Sequence, residues 1–134
     1  MSIETGTVHH VGIVMHDFES ATDFMRNFGH EEDYRGFVDA FSCWCIFLKA
    51  PQGSSAIELV VPDGGPLADF NPPAGGLHHF AYETDDIVAQ QARLAERGIR
   101  MLNEEPVKGA GNFLCNFVHP FSTRGVIIEY VQML

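Results

Sequence analysis

Two stretches of the chain, VHHVGIVMHD at residues 8–17 and LHHFAYETDD at residues 77–86, each place a His-His pair at the head of an apolar run. His10 and His79 lie 69 positions apart. A pair of adjacent histidines in such a run is unusual once, and its recurrence indicates that the chain repeats itself.

The repeat continues beyond the histidines. CIFL at residues 45–48 matches CNFV at 115–118 with an offset of 70, and AIELVV at 56–61 matches IIEYVQ at 127–132 with an offset of 71. Single-residue loop insertions would produce this drift. The two halves of the chain are therefore predicted to fold alike.

Each His-His strand leads into a helix with recognisable ends. Asp17 in the first half and Asp85-Asp86 in the second are acidic residues of the kind that cap a helix start. Gly29 and Gly98 follow the two helical stretches and are typical helix stops. Three short apolar strands are then expected in each half, at roughly 34–38, 43–49 and 55–61, and at roughly 99–103, 114–118 and 125–132.

This order predicts an α+β fold, a single domain over residues 1–134 built from two βαβββ modules in tandem. Module one spans about 7–62 and module two about 77–132, and the connector at 63–76 has Gly or Pro at half of its positions. One module cannot cover both faces of its own sheet. We therefore expect the two modules to form one curved mixed sheet around a central cavity, with the helices on the outside.

Composition limits the possible partners. The 134 residues carry a formal net charge of -10, which repels nucleic acid and anionic membrane surfaces. No secretory leader or membrane span is evident, so a cytoplasmic location is expected. Cys43, Cys45 and Cys115 lack CxxC spacing and are interpreted as reduced, apolar fillers.

Strand alternation sends His10 and His79 to the side that carries small residues, which is the predicted concave side. Glu58 and Glu129 are isolated carboxylates within apolar strands. A charge there costs several kcal/mol unless it is paired, coordinated or protonated. Each module thus contributes one histidine from its first strand and one glutamate from its last.

One divalent cation would compensate both glutamates, with two neutral imidazoles completing an N2O2 ligand set. We therefore predict His10, Glu58, His79 and Glu129 as metal ligands. Any one of them alone would more simply be a structural histidine or a solvated glutamate. Their matched positions across the repeat favour the metal site.

Other notable side chains receive simpler interpretations. His9 and His78 alternate with the inward histidines and are expected to be structural. His119, beside Pro120, is expected in a turn, and Trp44 among apolar strand residues is expected in the core.

The segments HVGIVMHDFESATDFMRNFG, GGLHHFAYETDDI and FVHPFSTRGVIIEY resemble the vicinal oxygen chelate superfamily of glyoxalases, bleomycin-resistance proteins, extradiol dioxygenases and methylmalonyl-CoA epimerases. The run LNEEPVKGAGNFLCNFVHPFSTRGVIIEY is most similar to the epimerases. The resemblance covers nearly the whole chain. It implies His10, His79 and Glu129 as metal ligands, with Glu58 as the fourth, and a metal that stabilises an enolate or a related anion.

The expected activity is that of a metal-dependent isomerase or epimerase that moves a proton next to a metal-chelated carbonyl, as in methylmalonyl-CoA epimerase or glyoxalase I. Glu129 and Glu58 are the candidate acid and base. The metal is Co, Ni, Zn, Mn, Mg or Fe, the substrate is a small carbonyl compound such as an acyl-CoA thioester, and a homodimer is expected. Two alternatives stay open: an Fe(II) dioxygenase using His10, His79 and Glu129 only, and a non-catalytic ligand-sequestering protein of the bleomycin-resistance type.

Overall fold

The computed structural model describes residues 3–134. They form two compact units: His10–His78, called here the first unit, and the residues through His9 with His79–Leu134, called the second unit. The predicted order of strand, helix and three strands occurs twice: β1 (Val8–Val14), α1 (Phe18–Phe28), β2 (Glu32–Val38), β3 (Cys43–Leu48), β4 (Ala56–Pro62), then β5 (Gly76–Glu83), α2 (Ile87–Glu96), β6 (Val107–Lys108), β7 (Phe113–Phe117), β8 (Ile128–Met133).

In the first unit the strands lie in the order β2-β3-β4-β1. β1 runs parallel to β4, and the other neighbours are antiparallel. One face of this sheet packs against α1 through a buried apolar cluster that comprises Ala21, Ile46, Leu48, Leu59 and Val61. The alternate strand residues therefore occupy the opposite face, which is where the functional side chains of this unit lie.

Helix α1 starts and stops where the sequence predicts. The Asp17 side chain accepts a hydrogen bond from the Ser20 N–H at 2.6 Å, which satisfies one of the free donors of the first turn. At the other end Gly29 adopts φ of 72° and donates its N–H to the Met25 carbonyl. This left-handed conformation suits glycine, so the residue ends the helix.

The second unit repeats the arrangement in the order β5-β8-β7-β6, with β5 parallel to β8. Asp86 caps α2 by accepting a hydrogen bond from the Ala89 N–H at 3.0 Å. The buried residues of its core are Ile87, Leu94, Val118 and Tyr130. The helix caps and two of the core positions, Leu48 with Val118 and Leu59 with Tyr130, thus follow the internal repeat.

The strand expected at 99–103 is wrong. In that segment only Met101 makes a bridge, to Val118, and the edge strand of the second unit is the two-residue β6. The reason is a side chain: the Asn116 amide accepts from the Asn103 N–H and donates to the Asn103 carbonyl. Two ladder-type bonds remain, from the Leu102 N–H to the Phe117 carbonyl and from the His119 N–H to the Arg100 carbonyl, but the Asn116 side chain takes both backbone bonds of Asn103, so regular pairing stops there.

The last strand also begins later than the expected 125. Arg124 and Gly125 have positive φ values of 57° and 88°, so they form a turn and β8 starts at Ile128. The connector at 63–76 contains one short 3-10 helix, Pro66–Asp69.

Neither helix within residues 3–134 combines the length and the apolar character needed to cross a bilayer.

Candidate active site

The first unit brings His10 and Glu58 together on one sheet face. β1 and β4 lie side by side with Gly12 opposite Glu58, so the His10 side chain, two residues earlier, shares the face of the carboxylate. His10 Nε2 lies 3.7 Å from Glu58 Oε1. The two residues are 0% and 5% exposed, so both polar groups are removed from bulk water.

The second unit makes the same pair. β5 and β8 align Ala81 with Glu129, and His79, two residues before Ala81, shares that face. His79 Nε2 lies 3.1 Å from Glu129 Oε1, and the two residues are 7% and 5% exposed. The predicted pairing of one histidine with one glutamate is therefore present in each unit.

A phenylalanine packs against each histidine in the same way. The Phe47 ring meets His10 edge to face with a centroid distance of 5.1 Å and an interplanar angle of 87°. The Phe117 ring meets His79 at 5.1 Å and 85°. Each phenylalanine also lies opposite the glutamate of its unit in the sheet register. The aromatic ring limits imidazole rotation, so Nε2 stays directed at the carboxylate.

The short N···O distance of each pair calls for a hydrogen atom or a metal ion between the two atoms. A neutral imidazole nitrogen that presents its lone pair to a carboxylate is repelled by it, so a proton or a cation must lie between them. Two ligand atoms about 2.1 Å from one ion are about 3.0 Å apart at a 90° angle and about 3.6 Å apart at 120°. The N···O distances of 3.1 Å and 3.7 Å are close to this range, so the donors fit a divalent cation.

Sequence reasoning missed one polar residue on the face of the first unit. Tyr34 on β2 lies opposite Phe47, and the two rings stack at 4.9 Å with an interplanar angle of 14°. Burial, and then the negative charge of Glu58, raise the pKa of Tyr34 to about 12. Its phenol therefore keeps its proton at any physiological pH. The sequence alone places Tyr34 on the same face of β2 as Gly36 and Val38, and only the strand register puts that face beside Glu58.

The remaining notable side chains follow their simpler interpretations. His119 starts a 3-10 turn and accepts the Phe121 N–H at Nδ1 over 3.2 Å. Trp44 packs against the core cluster of the first unit. The rings of His9 and His78 contact Phe113 and Phe70, and the three cysteines are buried thiols that form no disulfide.

A family model described as the Glyoxalase/Bleomycin resistance protein/Dioxygenase superfamily matches residues 9–117. The chain belongs to this superfamily. The match includes both histidines and one glutamate of the two pairs, and it confirms the resemblance seen in the sequence.

Within this superfamily, the chain is similar to several methylmalonyl-CoA epimerases. The chain is 37% identical to the ethylmalonyl-CoA/methylmalonyl-CoA epimerase of Cereibacter sphaeroides, over 96% of this chain and 98% of that protein. It matches the crystal structure of methylmalonyl-CoA epimerase from Mycobacterium tuberculosis with a TM-score of 0.88 and 28% identity, over 100% of this chain and 91% of the other. A structure of methylmalonyl-CoA epimerase in complex with methylmalonyl-CoA and NH4+ gives a TM-score of 0.87 at 26% identity, covering 97% and 96%. The α+β fold of two βαβββ modules is thereby confirmed.

Proposed function

We propose that the chain is a metal-dependent epimerase of a methylmalonyl-CoA-type substrate. It would remove and return the proton on C2, the carbon that lies between the carboxylate and the thioester carbonyl. The observation that carries this proposal is the buried His–Glu pair made once by each unit. The substrate class is supported by the relatives, which are named as epimerases of methylmalonyl-CoA or ethylmalonyl-CoA.

His10, Glu58, His79 and Glu129 would hold the metal. His10, His79 and Glu129 are buried donors of the types that bind a divalent ion. Glu58 repeats the position of Glu129 beside its own histidine, which supports it as the fourth ligand. When bound, the ion would supply a Lewis acid that lowers the energy of negative charge on the carbonyl oxygen. Co, Ni, Zn, Mn, Mg and Fe all accept this mixed donor set.

The two glutamates are the proposed proton-transfer groups, and each would have to release the ion while it takes or returns a proton, because a metal-bound carboxylate is a weak base. One carboxylate takes the proton from the carbon next to the carbonyl, and the other, in its protonated form, returns a proton. Both carboxylates are buried, so few water molecules compete with the substrate for them. Burial also keeps water from quenching the carbanion before the proton returns.

The basic side chains are divided unequally between the units, which bears on a CoA thioester. The three of the first unit, Arg26, Arg35 and Lys49, form ion pairs with acidic neighbours. The other five of the eight lie in the second unit. Since CoA carries phosphates, we propose that the second unit binds them, with added salt weakening the binding.

Exchange of the substrate proton with solvent tests the function. In D2O the protein should incorporate deuterium at C2 of methylmalonyl-CoA, measured by mass spectrometry. Glu58→Gln and Glu129→Gln should each reduce this incorporation by at least about 100-fold without unfolding the protein. Glu96→Gln, which alters an exposed helix residue, is the matched control and should leave the rate unchanged. Full exchange by either active-site variant would remove that glutamate from its role.

The two alternatives have their own readouts. Oxygen consumption with a catechol after anaerobic loading with Fe(II) would favour a dioxygenase, which has no task for Glu58. A protein that binds an aromatic ligand but never exchanges a substrate proton would favour sequestration. The matched relatives named above are epimerases, so neither alternative is preferred.

We further propose a cytoplasmic homodimer. Cys43, Cys45 and Cys115 form no disulfide, which suits a reducing compartment. β2 ends the strand order of its unit and offers an edge that a second copy could cover. Sedimentation at several protein concentrations would test the dimer.

A further inference from the structure

One phenol lies on the same sheet face as the His–Glu pair of the first unit. The registers align Tyr34 with Phe47 and Phe47 with Glu58 across three adjacent strands. Directly opposed residues point to the same face of a sheet. Tyr34, Phe47 and Glu58 therefore form a row that ends beside His10.

Packing fixes the Tyr34 ring but leaves it accessible. One side of the ring stacks on Phe47, whose own edge contacts His10. Phe47 is buried, whereas Tyr34 is half-buried. The ring thus has a restrained orientation and a partly exposed surface at the β2 end of the row, on the sheet face that carries Glu58.

The second unit lacks this feature. Its edge strand β6 pairs Val107 with Cys115 and Lys108 with Leu114, so the strand stops short of Phe117. The segment that runs past Phe117 is the loop held by Asn116, and the Leu102 N–H donates to the Phe117 carbonyl. The His–Phe–Glu arrangement is duplicated, but among residues 3–134 only the first unit has a tyrosine on that face, because Tyr82 and Tyr130 alternate with Ala81 and Glu129 and lie on the other face.

A duplicated pair of acid–base groups cannot by itself fix which way round a substrate lies, because each unit offers the same groups. A single hydrogen-bond donor on one unit can fix the orientation of the substrate. We propose that the Tyr34 hydroxyl donates a hydrogen bond to the free carboxylate of the substrate and so orients the substrate against Glu58. This assignment rests on the proposed epimerase function.

The test compares two ligands that differ only where Tyr34 would bind. Methylmalonyl-CoA has a carboxylate where isobutyryl-CoA has a methyl group. Tyr34→Phe removes the hydroxyl and keeps the stacked ring. It should weaken methylmalonyl-CoA binding by about 10- to 100-fold, as expected for a hydrogen bond to a charged group, and leave isobutyryl-CoA binding unchanged. Titration calorimetry gives both dissociation constants.

Controls separate this assignment from a structural role and from the function itself. Tyr82→Phe makes the same chemical change on β5 of the second unit, where the ring packs against Phe80 and Tyr130, and should alter neither dissociation constant. Equal weakening of both ligands by Tyr34→Phe, or no weakening, would overturn the assignment while wild-type exchange upholds the epimerase. A wild-type protein that neither binds methylmalonyl-CoA nor exchanges its proton would overturn both proposals.

Discussion

The two units are alike in one part and different in another. Each has a buried histidine beside a glutamate with a phenylalanine edge at the imidazole, at 5.1 Å in both. They differ at the edge of the sheet, where β2 has seven residues and β6 has two. The histidine, glutamate and phenylalanine of each unit are thus repeated, whereas the edge strands beside them have diverged. We infer that the repeated part performs the reaction and the diverged part selects the substrate.

The largest expected effect comes from removing either histidine. His10→Ala and His79→Ala should each lower the exchange rate by at least about 100-fold, because each takes one donor from the same proposed ion. Similar losses in both variants would support a shared role for the units. His30→Ala, which removes an imidazole stacked on Phe24 of α1, should retain the rate. Loss of activity in only one of the two site variants would break the equivalence.

Replacing the two phenylalanines should destabilise the protein to different extents. Phe47 is buried and Phe117 is half-buried. Phe47→Ala should lower the free energy of unfolding by about 3–5 kcal/mol, and Phe117→Ala by about 2 kcal/mol. Urea denaturation followed by circular dichroism measures both. Equal losses would show that the ring in the second unit is as tightly packed as its counterpart.

Asn116 marks a third difference. At the repeat offset of 70 it corresponds to Ile46, an apolar core residue of the first unit. Its amide bonds Gln91 of α2 and Asn103 of the loop. Asn116→Ala would leave groups of the half-buried Gln91 and Asn103 without these bonds, so it should cost about 1–3 kcal/mol and speed hydrogen exchange at the Asn103 N–H. Ile46→Val, at about 1 kcal/mol, is the matched control and should leave that exchange rate alone.

Much of the fold was predictable because the same signals occur twice. The aspartate caps, the helix-ending glycines and the strands around His10, Glu58 and their counterparts all follow from local patterns. The loss of the expected strand at 99–103 was not predictable. The apolar spacing of that segment gives no sign that the Asn116 side chain takes the backbone hydrogen bonds of Asn103.

The candidate site also has residues that the sequence predicts and one that it does not. The histidines and glutamates stood out as charges and imidazoles within apolar strands. Tyr34 did not, since an aromatic residue in a strand is most often core and only the register across β3 and β4 places it beside Glu58. Residues whose role depends on a neighbouring strand carry little signal of their own.

Metal content tests the central claim most directly. Elemental analysis of protein purified without chelators should find one divalent ion per chain in the wild type and in His30→Ala, and most of it should be absent from both His10→Ala and His79→Ala. A wild-type protein that exchanges the substrate proton without any bound metal, or a full complement of metal in either active-site variant, would contradict the account.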